Sequence, residues 1–126
     1  MADKAYVSMS TAFYEDSTAK EKACVDNGGE RISLTGSDYI KGTQEIGTGA
    51  FEAIAKGDIE TIGFAQIKNT SSVTDDYIEL SADSGGANPL IKLLGGRSCS
   101  FPPGITAIYA KATDAACVIE YILIEL

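Results

Sequence analysis

The chain has 126 residues, 44% hydrophobic and 22% charged, which suits one globular domain with its own core and excludes a disordered polymer. Eighteen acidic against ten basic residues give a net charge of −8, a sign that opposes nucleic acid and anionic membranes. Histidine is absent, which removes Ser/His/Asp and Cys/His catalysis, His-based zinc sites and the usual proton carrier of neutral pH.

No apolar run approaches the roughly 20 residues of a membrane span. The first residues lack the apolar stretch of a signal peptide, and Glu15 and Asp16 do not suit a transit peptide. Synthesis in a cytoplasm is the expectation, with assembly into something larger left open. Residues 1–20 read as an N-terminal arm or a first strand, ahead of a single β-sandwich domain over residues 21–126. In the stretch Tyr6–Tyr14, Tyr6, Ser8, Ser10, Ala12 and Tyr14 fall on one face of an extended chain. Its sparse aliphatic content also suits an arm packed on a neighbour.

Dense glycine, 13 residues in all, cuts the apolar runs into short pieces. Asp26–Glu30 has the residues of a hairpin turn between Cys24–Val25 and Ile32–Leu34, because Asn and Gly accept positive φ. Tyr39–Ile46 and Phe51–Ile59 read as extended. Ala50–Lys56 is equally a two-turn helix, with Phe51, Ile54 and Ala55 on one side.

Ile62–Lys68 alternates, with Ala65 and Ile67 opposite Ile62, Phe64 and Gln66. A polar loop follows over Asn69–Asp76. Asp76–Ser81 sets Ile78 and Leu80 against Tyr77, Glu79 and Ser81. The turn Asp83–Pro89 leads to strands at Leu90–Leu94 and Ser98–Phe101. Beyond Pro102-Pro103-Gly104, Ile105–Lys111 sets Ile105, Ala107 and Tyr109 against Ile108 and Ala110. Lys111–Ala115 reads as a hairpin loop into Ala116–Leu126. That near-continuous apolar run implies a central strand covered on both faces, or one with one face covered by another subunit, with Glu120 near an edge and in water. About eight to ten short strands predict an all-β, two-sheet sandwich, jelly-roll-like first and immunoglobulin-like second.

No catalytic, cofactor-binding or metal-binding residues emerge. Gly47-Thr48-Gly49 lacks the third glycine of a dinucleotide fingerprint. Asp75, Asp76, Glu79 and Asp83 do not match a calcium loop and read as a solvated acidic edge. Asn69-Thr70-Ser71 matches a glycosylation acceptor, but Asn as a turn former explains it better. Cys24, Cys99 and Cys117 form no CxxC pair and read as buried thiols. Arg97, beside Gly95-Gly96, is a candidate interface contact or a surface charge.

Several of these pieces together resemble small virion proteins of tailed bacteriophages. They are Gly63-Phe64-Ala65-Gln66-Ile67-Lys68-Asn69, Tyr77-Ile78-Glu79-Leu80, Pro89-Leu90-Ile91-Lys92-Leu93, Ile108-Tyr109-Ala110-Lys111-Ala112 and Glu120-Tyr121-Ile122-Leu123. The resemblance covers roughly residues 58–126 and rests on strands and turns, so it transfers no catalytic residue. It implies a capsid decoration, or cement, protein bound to the major capsid protein on the virion surface, with a homotrimer as the expected assembly. A tail, collar or fibre component is the alternative it implies, and a carbohydrate-binding module is the competing class. The candidate interface residues are Tyr6, Phe13 and Tyr14 on the arm, with Arg97. Nucleic acid, membrane and cofactors are not expected partners.

Overall fold

A computed structural model describes residues 38–126 in full. Before them it describes the backbone of Lys4–Val7 (β1), Ser10–Glu15 (β2), Lys20–Asp26 (β3) and Glu30–Ser33 (β4). The chain divides into two compact units, Met1–Gly36 and Ser37–Leu126. In the first, β1 pairs with β4 and β2 with β3, both antiparallel. The stretch read as one strand over Tyr6–Tyr14 is therefore divided between β1 and β2. The strands flanking Asp26–Glu30 do not form the expected hairpin, since each takes its partner from further back in the chain.

The second unit is a sandwich of two packed antiparallel sheets. Its strands are Tyr39–Ile46 (β5), Glu52–Ala53 (β6), Ile62–Asn69 (β7), Ile78–Ser81 (β8), Pro89–Leu93 (β9), Ser98–Phe101 (β10), Tyr109–Ala112 (β11) and Cys117–Glu125 (β12). One four-stranded sheet has the order β10-β7-β12-β5 and the other β6-β11-β8-β9. The first strand pairs with the eighth, the second with the seventh, the third with the sixth and the fourth with the fifth. A long ribbon of nested pairs rolled into two sheets is the jelly-roll arrangement, the first of the two expected topologies. The described residues contain no helix, so Ala50–Lys56 takes the extended alternative.

Strand periodicity builds the core. In β12, Cys117, Ile119, Tyr121 and Leu123 point inward and are buried. They meet Ile46 of β5 and Ala65 and Ile67 of β7 on their own sheet, and Ile78, Leu80, Leu93, Ala110 and Ala112 from the opposite one. Each fully buried Ile or Leu contributes about 1.5–3 kcal/mol. The Tyr121 ring lies across Gly42, whose Cβ, were there one, would sit 3.6 Å from the Tyr121 hydroxyl.

Two expected strands are shorter because the chain there changes partners. In the stretch Phe51–Ile59 only Glu52 and Ala53 join a ladder. The Gln44 side chain takes the next backbone groups, donating to the Ala53 carbonyl at 3.0 Å and accepting from Ala55 N–H at 2.9 Å. The run Ile105–Lys111 switches sheets. Ile62 N–H donates to the Ile105 carbonyl at 2.8 Å on one sheet, whereas Tyr109–Ala112 pairs with β8 on the other. Lys111–Ala115 is likewise no hairpin loop, because β11 and β12 lie in different sheets and the loop carries the chain between them.

Candidate interaction face

The outward face of the β10-β7-β12-β5 sheet presents cross-strand rows set by register. Thr43, Glu120, Lys68 and Ser98 form one row; Lys41, Ile122, Gln66 and Ser100 form the next; Tyr39, Ile124 and Phe64 form a third. Strands alternate, so these side chains point away from the core cluster; all are exposed or half-buried except Phe64, which is buried. The middle of the face is a concavity of about 730 Å³, lined among others by Lys41, Thr43, Gln66, Lys68, Ser98 and Glu120. That volume lies in the roughly 300–1,000 Å³ range of small-ligand sites. Tyr39 is 69% exposed and Val118 41% exposed on the same face.

This geometry corrects two expectations. Strand β12 is central, but within the chain only one of its faces packs on the core, so the alternative with both faces covered gives way; the other face carries the exposed Val118 and Glu120. Glu120 therefore stands in water in the middle of a sheet face, not near an edge. The apolar look of the run arises because Ile122 and Ile124, half-buried, share the outward face with those two.

The candidate interface residues fall in different places. Arg97 is exposed in the turn before β10, and its backbone is fixed there: Arg97 N–H donates to the Leu94 carbonyl at 3.1 Å and its carbonyl accepts from Asn69 N–H at 2.9 Å. Tyr6 lies on β1, and Phe13 and Tyr14 on β2. Their side chains, and that of Cys24, lie outside the described residues.

The acidic stretch disperses. Glu79 stands between Lys111 and Lys92 in cross-strand register. The Lys92 ammonium sits 4.0 Å from the centre of the Tyr77 ring. Asp83 folds back on its own loop, accepting from the N–H groups of Asn88 at 2.7 Å, Gly85 at 3.1 Å and Ala87 at 3.2 Å and from the Ser81 hydroxyl at 2.9 Å. These donors, Asn88 first, hold its carboxyl down at about 2. Among the described residues no three His, Cys, Asp or Glu side chains come together as a metal site.

Asn69 is fully buried. Its amide donates to the carbonyls of Asp76 at 2.9 Å and Leu93 at 3.1 Å, and its Oδ1 accepts from Ser71 N–H at 3.1 Å. The amide that glycosylation would modify is thus committed to structure. Cys117 is buried and Cys99 half-buried, and both are free thiols. Burial pushes Cys99 up to about 11 and raises Cys117 as well, the latter helped by the nearby Asp76 charge.

No protein-family model, curated protein or solved structure matches the chain.

Proposed function

We propose that the chain is a non-enzymatic structural virion protein that binds the outer surface of a bacteriophage capsid and stabilises the shell. The observation that carries the reading is the nested jelly-roll strand order of the second unit, an architecture used by viral capsid and lectin domains. It is joined by the resemblance over residues 58–126 and by a net charge of −8, which suits an outer surface better than contact with packaged DNA. The mechanism is binding without turnover: many weakly bound copies across capsomer seams resist internal pressure through avidity. Arg97, exposed on a rigid turn, is a contact of the kind favoured at interfaces.

The concavity favours a second reading, a carbohydrate-binding module. Its Thr43, Gln66, Ser98 and Glu120 supply the donors and acceptors that sugar hydroxyls require.

Co-sedimentation of the purified protein with unexpanded capsids, expanded capsids and isolated tails, beside a glycan array, separates these readings. Saturable binding to expanded shells, weakened by Arg97→Ala, supports decoration. Retention on tails alone or on glycans alone would replace it with the tail or sugar-binding reading.

A further inference from the structure

The four outer strands of the sandwich differ in how well they are protected against pairing. Exposed edges are normally kept short, interrupted by proline or bent by bulges. Strand β6 is two residues long. Strand β10 is four residues long and runs into Pro102-Pro103. Strand β9 begins at Pro89 and meets a register shift on β8 between Leu80 and Ser81. Strand β5 has none of these. It is eight residues long, contains no proline and pairs with β12 in unbroken register from Tyr39 to Ile46. Among the described residues nothing pairs with its far edge.

The sequence of β5 is also self-complementary about Thr43. Two antiparallel copies with their two-fold axis at Thr43 set Lys41 of each opposite Glu45 of the other, and Ile40 opposite Ile46. Lys41, Thr43 and Glu45 are all exposed on the outward face, so both charge pairs fall on one side of the joined sheet. The same register sets the exposed Tyr39 opposite Gly47, where an aromatic ring can cover a bare backbone. Moving the axis to Lys41 opposes two lysines, and moving it to Gly42 or Gln44 leaves both charges unpaired.

We propose that β5 is a homodimerisation edge, joining two copies of this chain into one continuous eight-stranded sheet with Thr43 on the two-fold axis. Opposite charges in cross-strand register fix this alignment against its neighbours, and one isologous contact closes the assembly at two chains. The stoichiometry differs from the trimer expected on lattice grounds. The inference stands apart from the virion reading, since it concerns the free protein.

The test is the mass of the full chain in solution by sedimentation equilibrium. Wild type is expected as a dimer. Lys41→Glu and Glu45→Lys each place like charges opposite one another and should weaken self-association by about tenfold or more. An equimolar mixture of the two variants should pair again, and so should the double variant carrying both changes. All the altered side chains are exposed, and circular dichroism checks that each variant folds. Thr43→Cys should cross-link to itself under mild oxidation with diamide, because directly opposed strand residues lie within disulfide reach. A wild-type monomer or trimer, or a dimer indifferent to both charge reversals, overturns the proposal. Capsid co-sedimentation of the same variants reports on the virion reading separately.

Discussion

Asn69 and Leu93 belong to opposite sheets, and the Asn69 side-chain amide donates to the Leu93 carbonyl at 3.1 Å. The same residue holds the following loop through Asp76 and Ser71, and its backbone N–H and C=O engage Arg97 and Gly96. One residue, through its side chain and its backbone together, thus ties two sheets and two loops at one end of the sandwich.

Asn69→Leu should remove these bonds and strand the buried Leu93 carbonyl among apolar atoms. The expected loss is about 2–4 kcal/mol, read from the urea midpoint at unchanged slope. Asn69→Asp should be no milder, since a carboxylate cannot donate to either carbonyl. A loss below about 0.5 kcal/mol in both variants would mean the amide is dispensable.

Gly95 and Gly49 form a paired test of close approach. A Cβ on Gly95 would come 2.0 Å from the Val73 carbonyl oxygen, whereas one on Gly49 meets nothing within 4 Å. Gly95→Ala should force the loops apart and cost about 2 kcal/mol or more. Gly49→Ala should be neutral or slightly stabilising through the unfolded chain. Thermal unfolding of both variants side by side checks the contrast.

The Asp83 carboxyl, held at about 2 against an ordinary 3.8, favours the folded state while ionised. Its contribution is therefore complete above pH ~4 and is lost as pH falls through about 2. Asp83→Asn should destabilise the protein at pH 6, and the gap to wild type should narrow between pH ~4 and ~2. A gap independent of pH would show that the loop does not depend on the charge.

Cys99 and Cys117 titrate upward in the fold, so their thiols stay protonated at pH 8. Site-resolved mass spectrometry should find both alkylated by iodoacetamide many-fold more slowly in the native protein than in urea. The sign for stability is opposite to that of Asp83. The contribution of Cys99 is present below about pH 9 and lost as pH rises through about 11.

Most of the sandwich was legible because alternation is a local signal. Tyr39–Ile46 and Ser98–Phe101 coincide with β5 and β10, and the inward pairs Ile78/Leu80 and Ile108/Ala110 are buried as their spacing predicts. What escaped was partner choice. Ile105 and Tyr109 sit in one apolar run yet belong to different sheets, and nothing local to IYAK records the switch. Ser81 read as an outward polar residue, yet it is fully buried, its one hydroxyl proton shared between the Asp83 carboxylate at 2.9 Å and the Asn88 carbonyl at 3.1 Å. The candidate face was invisible for the same reason. Its rows combine β5, β7, β10 and β12, residues far apart in the chain that only register brings side by side.

The pairing of β5 with β12 has a consequence for how the molecule comes into being. Strand β12 lies between β5 and β7; β7 can pair with β10 earlier, but β5 has no ladder partner in its sheet until the eighth strand of the roll is made. A ribosome emits β5 some seventy residues earlier, and through that interval its eight residues lack the strand that completes their ladder. Contacts so distant in sequence slow folding and prolong exposure of unpaired strands. Yield during rapid synthesis should therefore depend on what shields β5 in the nascent chain more than on the stability of the finished sandwich.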